Sequence, residues 1–190
     1  LPAPERTRRG LGRAFQLTNL FPNLSVMENV RLAIQARRGM GLNLWSIWSN
    51  HRALIAEAEA ILERIALTAR RDAPAASLPH GDQRKLEVGI LIALEPTVFM
   101  FDEPTAGMSV DEVPVILDLI REIKRDTTRT ILLVEHKMDV VRELSDRIIV
   151  LHNGKLAADG EPAEVIASPV VQQAYLGMAA EDEEEAEAAR

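Results

Sequence analysis

The sequence contains no cysteine, which excludes disulfide frameworks, thiolate metal sites and a cysteine nucleophile, and fits a reducing compartment. Aromatic residues are scarce at 4%, so a core has to be built from Leu, Ile, Val and Ala. Long apolar runs are missing as well. The longest clean one, Val88 to Leu94, has seven residues, against the roughly twenty that a membrane-spanning helix needs. No charged-then-apolar leader is visible, so no secretory signal is expected. An initiator Met is also lacking. Leu1 opens in what reads as a charged helix or loop, as expected of a piece of a longer sequence. What is present, 47% hydrophobic and 27% charged residues in a chain of 190, is close to the globular average. The length fits one domain with a subdomain.

Charge is unevenly spread. The net charge is −7, yet residues 181–190 (EDEEEAEAAR) hold six acids and one Arg, leaving −2 for the other 180 residues. Such a block is expected to stay solvated. At the other end, Arg6, Arg8, Arg9 and Arg13 stand against Glu5. Basic clusters attract nucleic acid, but this one has no interleaved aromatics and no accompanying binding motif. No nucleic-acid partner is expected.

From Ser25 to about Ala66 the pattern is helical. Ser25 and Glu28 are spaced as a capping box. Leu54, Ile55, Ala58, Ile61, Leu62 and Ile65 fall on one stripe. Trp45 and Trp48, three apart, suit packing on a neighbouring helix or, alternatively, a partner-facing patch. From Pro96 onward strands and helices alternate. Thr97 to Phe101 and Thr130 to Val134 are short apolar runs without polar alternation, as in parallel strands buried on both faces. A helix from Asp111 to Lys124 joins them, with Pro114 tolerated near its first turn. Arg147 to Leu151 and Lys155 to Ala158 flank Asn153-Gly154, a strong hairpin signal. This order predicts an α/β fold on a parallel sheet, and no internal repeat is visible.

The most informative string is TVFMFDEPTAGM. Ligands of open α/β sheets bind beyond the carboxyl ends of the strands, which is where Asp102 and Glu103 stand. Asp102 suits Mg²⁺, a hard cation that prefers carboxylate oxygen. Glu103 suits a proton acceptor for an attacking water. Alone, such a pair fits a solvated loop equally well. A second apolar strand, however, ends in Glu135-His136, and an imidazole can donate to a phosphate oxygen near neutral pH. Gln16 offers an amide that ligates metal or orients water. SLPHGDQRKLEVGILIAL reads as a Gly-containing turn and then a strong helix, whose first N–H groups favour a phosphate.

This ordered set resembles the nucleotide-binding subunit of ATP-binding-cassette (ABC) transporters, from about Gly10 to Gly177. The resemblance makes Gln16 the Q-loop glutamine, binding nucleotide and metal. Leu78, Pro79, His80, Gly81 and Asp82 become the nucleotide-binding signature loop. Asp102 and Glu103 become the Walker B metal ligand and the catalytic glutamate. AGMS, with Gly107 and Ser109, becomes the D-loop, and His136 the catalytic switch histidine. RAFQLTNLFPNLSVMENV, VEHKMDVV and the ending GEPAEVIASPVVQQAYLG are similar to the branched-chain amino acid importer group, with urea, amide and lipopolysaccharide systems sharing parts of the wording.

The resemblance implies an ATP hydrolase using ATP and Mg²⁺. Its partners would be membrane permease subunits, a second ATP-binding subunit (as a homo- or heterodimer) and, indirectly, a periplasmic substrate-binding protein. It would act as a peripheral subunit on the cytoplasmic face of the plasma (inner) membrane. The implied organisation is a Q-loop region of the core (1–24), a helical subdomain with the signature loop (25–95) and an α/β core (96–160), followed by C-terminal helices (161–180) and the acidic tail (181–190). The alternatives are a urea or amide importer, another ABC ATPase acting on DNA or translation, and an inactive fragment or pseudo-ATPase serving as a nucleotide-free interaction module.

Three features depart from the family pattern. The phosphate loop G-x-x-x-x-G-K-[ST] has no match, because of ten glycines only Gly154 precedes a lysine, and Leu156 follows that lysine. The family places that loop, the first strand and an adenine-stacking aromatic ahead of Leu1, so the fold expected is a parallel sheet core lacking its first strand. Pro79 stands where the signature has serine, removing a hydroxyl and an N–H. Ser109 stands where the D-loop commonly has Asp.

Overall fold

Three short strands pair in parallel. β2 (Val98–Asp102) lies between β1 (Leu11–Ala14) and β3 (Thr130–Val134) in a computed structural model that describes residues 1–14, 20–40 and 52–173. Leu11 is opposite Val98 and Ala14 opposite Phe101, while Val98 is opposite Thr130 and Asp102 opposite Val134. Phe99 and Phe101 are buried, with ring centroids 6.2 Å apart. β1 carries little strand propensity of its own, and pairing with β2 is what makes LGRA a strand. Its Gly12 is a packing requirement: a Cβ there would lie 2.5 Å from Leu91 Cδ1 and 2.6 Å from Pro96 Cγ.

β3 departs from the expected burial. Leu132 and Val134 are about half exposed, at 50% and 53%. β3 is an edge of the described sheet, and successive side chains of a strand point to opposite faces. One face is left open.

The helices of this part of the chain are α1 (Ala3–Arg8), α2 (Val26–Arg37), α3 (Arg52–Arg64), α4 (His80–Leu94) and α5 (Val113–Lys124). The expected capping box opens α2. The Glu28 N–H donates to Ser25 Oγ at 3.1 Å, and the Ser25 N–H donates to Glu28 Oε2 at 3.2 Å. Leu54, Ala58, Ile61, Leu62 and Ile65 are buried, with Ile55 half-buried. α4 packs against α2, α3 and β1, with Leu86, Val88 and Leu91 buried. Each such side chain contributes about 1.5–3 kcal/mol of transfer free energy. Instead of a Gly-containing turn ahead of α4, Pro79 is the N-cap and Gly81 sits in the first turn. α5 has Pro114 in its first turn, as expected.

The chain divides into two compact units, Leu1–Val134 and Glu135–Arg190. In the second, α6 (Met138–Leu144) precedes the hairpin of β4 (Ile148–His152) and β5 (Lys155–Gly160), followed by α7 (Pro162–Ala167). Asn153 and Gly154 take φ of +49° and +71°, the left-handed values that the turn requires. Ile148, Val165 and Val171 form the core of this unit. Among the described residues no helix is long and apolar enough to cross a membrane. Gln16, Trp45, Trp48 and the acidic tail lie outside the described residues.

Candidate functional site

β2 delivers Asp102 at its carboxyl end, and the chain turns at Glu103 with φ +45°. A left-handed non-glycine residue costs about 1–3 kcal/mol and persists only where its surroundings over-determine it. They do so here. The Glu103 N–H donates to the Val134 carbonyl at 2.9 Å, and the Glu103 carbonyl accepts from the Ala106 N–H at 3.1 Å. Pro104 and Thr105 behind it are buried.

Asp102 meets a partner that its position in the sequence does not announce. Arg13, opposite Met100 on β1, places Nη2 3.0 Å from Asp102 Oδ2. The pair spans 89 residues, so no local spacing signals it. Arg9 of the same basic cluster pairs with Glu5 at 2.8 Å. Among the described residues no group of three or more His, Asp or Glu side chains is arranged to hold a metal. One partly exposed carboxylate does fit Mg²⁺, which usually takes one or two protein carboxylates and fills its shell with water and substrate phosphates. It does not fit a cation held by protein alone.

Residues 78–82 and residues 107–112 meet in one cluster. Leu78 is buried, Pro79 caps α4 without a side-chain hydrogen bond, and His80, Gly81 and Asp82 form the first turn. Gly107 has φ +70°, and a Cβ there would lie 3.1 Å from the His80 ring. A Cβ on Gly81 would collide with the Glu112 carboxylate. Lys85 Nζ reaches Asp82 Oδ1 at 2.9 Å and Glu112 Oε1 at 3.3 Å. Ser109 donates to Glu112 Oε2 through its hydroxyl at 2.9 Å and its N–H at 3.2 Å. Lys85 and Glu112 were absent from the sequence expectations. Ser109-x-x-Glu112 has capping-box spacing, and that signal would have found Glu112.

The Ser109 hydrogen bonds, aided by Lys85, hold the Glu112 carboxyl below its ordinary value despite desolvation. Burial works against the Lys85 ammonium, but hydrogen bonds to and charges on Asp82 and Glu112 outweigh it and raise its pKa. A depressed carboxyl contributes stability above its unfolded value of 4.5 and loses it as pH falls through the lower folded value. Glu112→Gln should therefore melt below the parent at neutral pH. The gap should close as pH drops below 4.5. Asp126 and Asp159 shift in the same direction, so the difference between parent and variant melting curves isolates Glu112. A gap independent of pH would contradict this account.

His136 belongs to the second unit. Glu135 Oε2 accepts from the His136 N–H at 2.9 Å and the Lys137 N–H at 3.2 Å, shaping the turn into α6. The imidazole Nδ1 lies 3.7 Å from the same oxygen, and its side chain is 63% exposed.

Comparison with known proteins identifies the family. The high-affinity branched-chain amino acid transport ATP-binding protein LivG of Escherichia coli K12 is 37% identical over 184 residues, covering 94% of this chain and 72% of its own length. BraF of Pseudomonas aeruginosa, which carries the same description, is 33% identical over 186 residues, with the same coverage. The structure of cbiO1 from Clostridium perfringens, part of the ABC transporter complex cbiONQ, superposes with a TM-score of 0.67 at 26% identity, covering 86% of this chain and 62% of that one. Residues 2–106 match the ABC transporter family. A parallel sheet ending in paired carboxylates, a family match over more than half the chain and relatives above 30% identity converge, and the chain belongs to the ABC transporter family.

Proposed function

We propose that the chain is the ATP-binding and ATP-hydrolysing part of an ABC importer subunit, with branched-chain amino acids as the transported class. The observation that carries the reading is the turn at the end of β2, where Asp102 and a backbone-pinned Glu103 stand together. Similarity to LivG and BraF supplies the substrate class. Hydrolysis of a nucleoside triphosphate is mainly positioning and electrostatics. Glu103 accepts the proton of the attacking water. His136 donates to the terminal phosphate. Pro79 to Asp82, with Gly107 and Ser109, face the nucleotide of a second ATP-binding subunit. Asp102 and Gln16 would hold Mg²⁺, which supplies charge neutralisation on the phosphates. In this reading the helical residues 25–95 move as nucleotide binds and so drive the permease subunits, with the assembly on the cytoplasmic face of the membrane. The 190-residue chain by itself is inactive, because it carries no phosphate loop.

The test is ATP-driven uptake of labelled leucine by proteoliposomes holding the full-length subunit, its permeases and its binding protein. ATP-driven uptake of urea or short amides without leucine, isoleucine or valine would replace the substrate class and leave the ATPase reading standing.

Pro79→Ser separates binding from folding. A serine N-cap contributes about 1 kcal/mol, while the proline it replaces restricts the unfolded chain by about 0.4–1 kcal/mol. These nearly cancel, so the melt should barely move. A hydroxyl offered to a charged phosphate is worth about 1.5–3 kcal/mol. ATP-driven dimerisation and hydrolysis in the full-length subunit should therefore reach half-maximum at roughly tenfold or more lower ATP. If neither curve moves, Gly81 and the first turn of α4 suffice without the hydroxyl.

A further inference from the structure

Arg84 lies in the second turn of α4 and is 4% exposed. A guanidinium is fully buried almost only when it is paired and its donors are matched. Its Nε donates to the Pro104 carbonyl at 3.2 Å, and its Nη2 to the carbonyls of Asp102 at 2.8 Å and Glu103 at 3.0 Å. Nη1 meets Glu87 Oε2, itself buried, at 2.9 Å. Three consecutive carbonyls thus converge on one rigid planar group. They belong to the turn whose middle residue, Glu103, is left-handed. The Ala106 N–H is a second donor to the Glu103 carbonyl, and the side chain of a neighbouring helix adds to what the turn supplies for itself. The backbone of Glu103 is fixed by the Val134 carbonyl of β3, which accepts from its N–H, and by the Ala106 N–H and the Arg84 guanidinium of α4, which donate to its carbonyl.

We propose that Arg84 is a positioning residue for Glu103: it clamps the backbone of residues 102–104 so that the Glu103 carboxylate is held where it accepts a proton. The clamp also couples that carboxylate to α4, the helix that begins at residues 80–82. The proposal rests on the reading of Glu103 as proton acceptor. Lysine does not substitute. A single ammonium on a flexible stem satisfies Glu87 and leaves carbonyls of the turn without the planar fork.

The test has two arms. In the first, amide hydrogen exchange is followed in the parent chain, in Arg84→Lys, and in the double variant Arg84→Met/Glu87→Gln, which leaves no buried carboxylate unpaired. Glu103 and Ala106 should lose protection while the amides of α5 keep theirs. In the second, steady-state ATP turnover of the full-length subunit should fall about 10²-fold in kcat, as expected for a misplaced reacting group, with KM for ATP unchanged. Unaltered protection at Glu103 and Ala106 in both variants overturns the proposal. So does lost protection with parental kcat, or a loss spread evenly across the first unit, which would mark Arg84 as core packing. Glu103→Gln is run beside them. If that variant turns over normally, the reading of Glu103 fails, while the exchange data still decide whether Arg84 holds the turn.

Discussion

Glu103→Gln is expected to lower steady-state ATP turnover of the full-length subunit by roughly 10²–10⁴-fold, the usual worth of a general base, while ATP binding persists. Gln keeps the shape of the side chain and loses the proton acceptor. The backbone that sets its direction is unchanged by the substitution. Its N–H still reaches the Val134 carbonyl, and its own carbonyl still accepts from Ala106 and Arg84. The effect therefore belongs to kcat rather than to folding or to nucleotide affinity. The measurement is phosphate release against ATP concentration, beside equilibrium binding of ATP and a thermal melt. Phosphate release near the parental rate would remove Glu103 from this role.

The second large effect concerns the 190-residue chain by itself, which should show no useful affinity for ATP–Mg²⁺. A phosphate loop contributes a nest of backbone N–H groups and a lysine to the β- and γ-phosphates, and the sequence contains no such loop. Asp102 and Glu103 would face a polyanion with no donors of that kind in the same chain, and the Arg13 guanidinium already sits on Asp102. Each missing charge-assisted hydrogen bond is worth about 1.5–3 kcal/mol. Losing several of them erases micromolar binding, which amounts to roughly 8 kcal/mol. Calorimetric titration decides the matter. A Kd tighter than about 100 µM, near 5.5 kcal/mol, would show that these residues hold nucleotide without a phosphate loop.

Local signals were legible in the sequence and cross-chain ones were not. The capping box of Ser25 and Glu28, the buried stripe of α3, Pro114 at the start of α5 and the Asn153-Gly154 turn all depend on residues within a few positions of one another. β1 escaped because LGRA becomes a strand only beside β2. The half-exposure of Leu132 and Val134 escaped for a related reason, since an unbroken apolar run reads alike in a central strand and at an edge. In the site, the acidic pair at the end of β2 stood out by type and position. Arg13, Arg84 and Lys85 did not, because what they touch lies on other elements, 89 residues away for Arg13 and 18 to 27 residues away for the cross-element contacts of the other two. A cation in a run such as LGRA or DQRK looks like one more solvated charge until the fold gives it a partner.

The left-handed backbone at Glu103 also bears on engineering. Variants selected for heat resistance alone would be drawn toward Gly or Asn at position 103, where the same turn forms with less torsional penalty, and on the role proposed for Glu103 each such winner would have lost its proton acceptor. Stability screens on this protein would therefore enrich inactive sequences at one identifiable position. Libraries meant to raise its melting temperature are best built with residue 103 held constant and with diversity moved to sites such as the exposed Leu132, Ile149 and Leu156.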